Sequence, residues 1–256
     1  MLKWTGLKNK IALCLAVFML LTVAGASLST AALANSYGTL ASYTHYNQHE
    51  KPLVASLRAS FNGSLAQRIV GRAIWYMEYG YIYYGHTRYA TTGYCDCSQY
   101  VSMVYRDFGY SITSASRNYT TVGTRVSGVY SQRIPGTSRY TLVGVSKLKP
   151  GDIFTFWKID ASGNKYIGHV ALYMGLVDGK PRIINTCGGH PTAIGIVDGF
   201  GYWYGSNLYQ VRRVLPSTAY VPGGMKITDR GPVIPAIYRI KPTAPIIMPK
   251  NLPTGF

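Results

Sequence analysis

The chain has 256 residues, 47% of them apolar and only 14% charged, so it can bury a sizeable core and is not disordered as a whole. That length fits one ordinary domain with extensions, or two very small domains. The formal charge of +17 favours polyanionic surroundings, but no basic helix or basic-aromatic stripe argues for nucleic acid.

In chain order, Lys3, Lys8 and Lys10 precede an uncharged apolar run from Ile11 to Ala26, and Ala32-Leu33-Ala34 fits a signal-peptidase site, so residues 1–34 read as a signal peptide. The apolar run is shorter than the ~20 residues of a membrane span, and Leu13 before Cys14 is too large for a lipoprotein site. No stable membrane anchor is expected. Loss of this segment removes three lysines and no acid, leaving a basic mature chain. For an exported protein the polyanion at hand is the cell envelope. Export also leaves three cysteines, Cys95, Cys97 and Cys187, an odd number that implies at least one free thiol. The 23 tyrosines suit a groove for polar, sugar-containing or peptide ligands, and equally an extracellular surface.

Residues 35–63 are rich in Ser, Asn and Tyr and read as a loosely structured polar lead-in. Ser64 is a plausible N-cap for a helix to about Tyr79, with Ile69, Ala73, Ile74 and Met77 at helical spacing and Gly80 as its stop. Tyr81 to Gly93 reads as irregular loop. A second helix starts at Cys97, with Tyr100, Val101, Val104, Tyr105 and Phe108 on one face and Gly109 ending it.

Beyond Ser127 the pattern turns to short β runs. Lys149-Pro150-Gly151-Asp152 is a turn into Ile153–Trp157, and His169 begins a strand to Met174. Asp178-Gly179 is a hairpin signal before Arg182–Cys187, and a last strand covers Tyr209 to Leu215. The final segment, 216–256, with eight prolines, reads as a basic, extended tail.

Helices first and an antiparallel sheet afterwards give an α+β order. It sets a cysteine at a helix N-terminus and a histidine at a strand start, the layout that thiol acyl-transfer chemistry uses. The helix dipole and free N–H groups are expected to lower the thiol pKa towards a thiolate–imidazolium pair, and the Cys97 N–H can serve a developing oxyanion.

These residues resemble the NlpC-type cell-wall peptidases, a papain-like group. Asp96-Cys97-Ser98 before an aromatic-Val helix resembles the nucleophile motif D-C-S-G-x-V, and Leu148-Lys149-Pro150-Gly151-Asp152-Ile153 resembles L-x-P-G-D-L. Gly168-His169-Val170-Ala171-Leu172-Tyr173-Met174-Gly175 resembles H-V-G-I-Y-x-G, and Arg212-Arg213-Val214 the usual last strand. The four motifs run in order over about residues 65–215. Gln99 replaces the usual glycine, and Ile112–Ser116 lacks the proline and arginine of L-P-R-T-S.

The resemblance implies a papain-like α+β domain over residues 64–215, with Cys97 as nucleophile and His169 as general base. Counting through the hairpin gives Asn185 as the third residue, with His190 as its rival. Asp96 and Ser98 are expected to shape the substrate side, with Tyr81 or Tyr83 as an upstream aromatic. The implied protein is a secreted, wall-associated monomer that hydrolyses amide bonds in peptidoglycan stem peptides, without metal or cofactor. Anionic wall polymers are possible further partners. Alternatives are another acyl chemistry on the same scaffold, amidase or transpeptidase, and a wall-binding protein with a vestigial site. Cys95 and Cys187 either form a staple beside the nucleophile or remain two packed thiols.

Overall fold

The computed structural model describes residues 46–186, 193–197 and 205–239. Three helices build one side of the molecule. Helix α1 (Lys51–Ala59) follows a π-helical turn, Tyr46–Glu50, and has Pro52 in its first turn, where a missing N–H costs nothing. Its Val54 and Leu57 are buried three residues apart. The lead-in is therefore helical from residue 46, not loosely structured. The polar surface of α1 masks a two-residue apolar anchor, and the rest of its binding is long-range. Arg58 donates to both Glu78 carboxylate oxygens at 3.1 and 2.7 Å. Ser56 donates to Asp178 at 2.7 Å, and Glu50 accepts from the Ile196 N–H at 3.1 Å.

Helix α2 (Leu65–Tyr79) follows Ser64, which holds the extended N-cap conformation, and closes at Gly80, as its periodicity predicts. A Cβ on Gly80 would lie 2.5 Å from the Tyr76 carbonyl oxygen, so only glycine fits this close approach. Helix α3 (Cys97–Asp107) is capped by Asp96, which accepts from the Gln99 N–H at 2.9 Å. It ends in a Schellman-type closure. The Tyr110 N–H bonds the Tyr105 carbonyl and Gly109 takes φ +86°.

Among the described residues ten strands follow the sequence order: β1 (Tyr83–Tyr84), β2 (Tyr94–Cys95), β3 (Thr124–Arg125), β4 (Tyr130–Arg133), β5 (Tyr140–Val143), β6 (Ile153–Ile159), β7 (Lys165–Val177), β8 (Lys180–Thr186), β9 (Ile194–Val197) and β10 (Leu208–Arg213). Six form one antiparallel sheet in the order β3-β10-β6-β7-β8-β9. β1 and β2 make a small parallel pair, and β4 and β5 a hairpin. The β7–β8 turn has φ 52° at Asp178 and 72° at Gly179, the two left-handed residues of a type I′ turn.

Both faces of the central sheet are covered. Ile153, Val170, Leu172 and Ile184 pack against the helices with Ile69, Ile74, Val101 and Val104. Phe154, Ala171, Tyr173, Ile183 and Val211 face the other way, under Val126, Val129 and Leu148 from the chain between α3 and β6. Double coverage explains why β6 and β7 read as apolar runs rather than as alternation. The turn before β6 is fixed by its own ion pair. Asp152, fully buried, takes two hydrogen bonds from Arg213 at 2.8 and 2.7 Å and one from the Lys149 N–H at 2.8 Å.

The C-terminal segment departs from the expected extended tail over its described part, residues 216–239. Ser217–Tyr220 forms a 3₁₀ turn with Ala219 buried. The chain then crosses α2 and α3. The Arg230 N–H donates to the Asp107 carbonyl at 2.8 Å, and the Val233 N–H to the Tyr76 hydroxyl at 2.7 Å. Beneath them, buried Arg72 bridges the Asp107 and Asp229 carboxylates, each at 2.8 Å. The segment forms no strand among the described residues and only short helical turns, the last at Ala236–Arg239, and its docking is supplied by these hydrogen bonds and charges. The remainder of the tail and residues 1–45 lie outside the described residues. Among the described residues no helix is long and apolar enough to cross a membrane.

Candidate active site

Cys97 occupies the first position of α3 and is 5% exposed. The cap is built tightly around it. Asp96 Oδ1 accepts from the Gln99 N–H and from the Ser98 hydroxyl, at 2.9 and 2.8 Å, while Oδ2 lies 3.1 Å from His86 Nδ1. The Ser98 hydroxyl also lies 2.7 Å from the Ser114 carbonyl, and Tyr119 donates to the Ser98 carbonyl at 3.0 Å. Ser98 is buried, so it binds the α3 start to the following loop rather than lining an open substrate side.

His169 lies on β7 opposite Phe156 of β6, whose ring centroid is 5.8 Å from its own. Its Nε2 is 2.9 Å from Oδ1 of Asn185, a fully buried residue of β8. The Asn185 amide nitrogen points to the Gly195 carbonyl oxygen at 3.4 Å, so Oδ1 is the atom left to face the ring. A carbonyl oxygen only accepts; Nε2 therefore carries the proton and Nδ1 keeps its lone pair. The rival for the Asn185 position, His190, lies outside the described residues, as does Cys187. Cys95 and Cys97 are both free and buried thiols.

The electrostatics of the pair differ from the sequence expectation. Burial pushes the Cys97 thiol up to about 11, against the Val170 and Ser98 N–H groups, which pull it down. Burial likewise pushes His169 down to about 4, against the Asn185 hydrogen bond, which raises it. Desolvation outweighs the helix terminus here, because it acts on any charge whereas the terminal N–H groups supply only partial charges. Both shifts favour the neutral forms, thiol and imidazole, over an ion pair. The Val170 N–H that meets the sulfur belongs to the residue after His169, so α3 brings Cys97 to the β7 backbone at the histidine. Two further charges act on both groups, Asp96 and Lys158. The Lys158 stem lies over Gly168, where an added Cβ would approach its Cδ to 2.4 Å.

The upstream aromatics are distributed differently from expectation. Tyr83 stacks on Tyr94 at 5.2 Å in the β1–β2 pair, and Tyr81 sits partly buried in left-handed backbone, φ 46°. Tyr84 is the one whose hydroxyl responds to Cys97: partial burial raises its pKa, followed by the nearby Cys97 and Asp96 charges. Its strand partner is Cys95, two residues before Cys97. The parallel pairing of two dipeptide strands selects Tyr84 over Tyr83, and nothing in the local sequence announces that pairing. Among the described residues no three His, Cys, Asp or Glu side chains converge on a common point.

With this geometry, known proteins are similar as follows. The sequence model of the NlpC/P60 family matches residues 79–202, which include Cys97, His169 and Asn185. No curated protein matches. Among solved structures, an NlpC/P60 family protein from Bacillus cereus is 23% identical, with a TM-score of 0.34, over 47% of this chain and 32% of that one. NlpC1 from Trichomonas vaginalis is 17% identical, with a TM-score of 0.40, over 60% of this chain and 46% of that one. The chain thus spans less than half the length of either.

Proposed function

We propose, on the premise that residues 79–202 form an NlpC/P60-family domain, that the protein is an exported cysteine peptidase that hydrolyses amide bonds in peptidoglycan stem peptides. The family supports cell-wall peptidase activity. The finer reading, a D-glutamyl–diamino acid endopeptidase resident at the wall, is our own. One observation carries the residue roles: the His169–Asn185 hydrogen bond selects the tautomer with its proton on Nε2 and its lone pair on Nδ1, on a histidine whose neighbouring N–H meets the Cys97 sulfur.

From a neutral resting pair, the proton leaves Sγ for Nδ1 as sulfur attacks the amide carbon, which is general-base activation rather than attack by a standing thiolate. The tetrahedral oxyanion meets the Cys97 N–H, which as the first N–H of α3 has no partner within the helix. The imidazolium, stabilised by the Asn185 oxygen, returns the proton to the leaving amine and a thioester remains. Water, deprotonated by the same nitrogen, hydrolyses it and frees the thiol. Asn185, itself held by Gly195, is a positioning residue in this scheme.

Mass spectrometry of purified peptidoglycan after incubation tests the proposal. New stem-peptide fragments made by the wild type and absent with Cys97→Ala support it. Release of intact stem peptides from the sugar assigns an amidase instead, and unchanged peptidoglycan with folded wild type contradicts both.

A further inference from the structure

The excess positive charge has a specific location in the fold. Each acidic residue described is engaged internally. Glu78 pairs with Arg58, Asp107 and Asp229 with Arg72, and Asp152 with Arg213. Asp96 caps α3, Glu50 takes the Ile196 N–H, Asp178 the Ser56 hydroxyl, and Asp160 the N–H groups of Ser162 and Asn164. Between Asp107 and Asp152 the chain holds six cations and no acid. This stretch is the cover over the second face of the sheet.

Val126, Val129 and Leu148 pin that cover to the sheet, and Leu142 packs beside them. Arg125, Arg133, Arg139 and Lys147 are exposed on it. Arg133 is tied across the β4–β5 tip by its bond to the Thr137 carbonyl at 2.8 Å, so the tip is braced. Lys147 reaches back over Gly128, whose added Cβ would lie 2.2 Å from Nζ. Arg125 stands opposite Arg212 in the β3–β10 register, like charges in a position that ordinarily destabilises a sheet. The Arg212 guanidinium donates only to carbonyl oxygens, of Val122 and Gly123 at 2.7 Å each, and no carboxylate among the described residues joins them.

We propose that this face, presented by β3 and the β4–β5 hairpin, is a docking surface for a linear phosphate polymer. Guanidinium groups predominate on it, and their planar forks match phosphate oxygens better than ammonium groups do. Anchored to the sheet, they are presented at fixed positions. The only large apolar side chains exposed on the same segment are Tyr130 and Ile134, without an amphipathic helix, which disfavours insertion into a lipid surface. None of Arg125, Arg133 and Arg139 is among the groups that shift Cys97 or His169.

The test measures binding of poly(glycerol phosphate) at low ionic strength to three folded proteins. These are the wild type, Arg125→Glu/Arg133→Glu/Arg139→Glu, and Lys51→Glu/Lys180→Glu/Lys226→Glu, which changes net charge equally elsewhere. The arginine variant should bind about tenfold or more weakly with a flatter salt dependence, while the lysine variant stays within about threefold. Hydrolysis of a soluble muropeptide should be the same for both. If the glutamate variant does not fold, Arg→Gln at the same three positions replaces it, with the same ranking expected. Equal weakening in the two variants, or no binding by the wild type, overturns the proposal. So does a loss confined to phosphatidylglycerol vesicles, which would assign the face to membranes.

Discussion

Arg72 at the C-terminal crossing meets two carboxylates, Asp107 also takes the Tyr76 hydroxyl, and Tyr76 in turn takes the Val233 N–H. At the start of α3, by contrast, Cys97 is a buried thiol pushed up and His169 an imidazole pushed down, with one ring nitrogen facing Asn185. Both regions are buried and polar, but the first satisfies its groups with one another and the second keeps a thiol and an imidazole whose pKa values burial has moved from those they have in water. A saturated network reads as architecture, and a perturbed one reads as chemistry. Substitutions in the two regions should therefore damage different properties.

The largest effect is expected at the reactive pair. Cys97→Ala and His169→Ala should each lower peptidoglycan hydrolysis by about four orders of magnitude or more while the protein stays folded, since such groups act as a unit. Circular dichroism alongside fragment release checks this. Asp107→Ala should do the reverse. It leaves the buried Arg72 guanidinium without its inner partner and should cost about 3–5 kcal/mol in denaturant unfolding, with turnover per folded molecule retained. Activity lost at full stability in Asp107→Ala would dissolve the contrast.

Asn185→Ala should lower kcat by roughly a hundredfold with KM little changed, because the imidazole loses its tautomer and orientation. A larger loss in His190→Ala would move that role to His190. The pH dependence sharpens the electrostatic half of the comparison. His169 is pushed from an unfolded value of 6.5 to about 4, so between these values the unfolded chain binds the extra proton. Stability present above pH 6.5 should thus be lost as pH falls towards 4, by up to roughly 3 kcal/mol. The same titration of His169→Gln should lack that part of the slope. The smallest expected effect lies on the basic face. Arg125→Glu should raise stability by about 0.2–1 kcal/mol by turning the Arg125–Arg212 opposition into attraction.

Much of this architecture is legible in the chain. The α2 stop at Gly80, the α3 start at Cys97 and the Asp178-Gly179 turn follow from local rules of capping and left-handed backbone, and the structure has them where those rules put them. The contact of Asn185 with His169 does not follow from plain counting through that turn: a register shift between Tyr173 and Gly175 sets Leu172 opposite Ile184, and it is this shift that puts Asn185 on the face of His169. What sequence could not give depends on distance along the chain. Helix α1 has only Val54 and Leu57 as anchors and is held by Glu78 and Asp178, far along the chain. The 216–239 crossing depends on Asp107 and Tyr76, which no tail composition reveals. The upward push on the Cys97 thiol is not legible because a helix terminus is visible in sequence and the depth of burial around it is not. Tyr84 escaped notice because a parallel pair of two-residue strands has no period to detect.

The most direct test of the account is peptide mapping after reaction with a substrate-like thiol probe, followed as a function of pH in the wild type and in His169→Ala. The account predicts an adduct on Cys97 and not on Cys95, slowed strongly in His169→Ala. In the absence of substrate, the wild-type rate should climb with pH into the alkaline range, as a neutral thiol pushed up to about 11 requires. An adduct on Cys95, or labelling of Cys97 that is indifferent to His169, would contradict the assignment of the site. A rate already at its plateau at pH 5 would contradict the neutral resting pair.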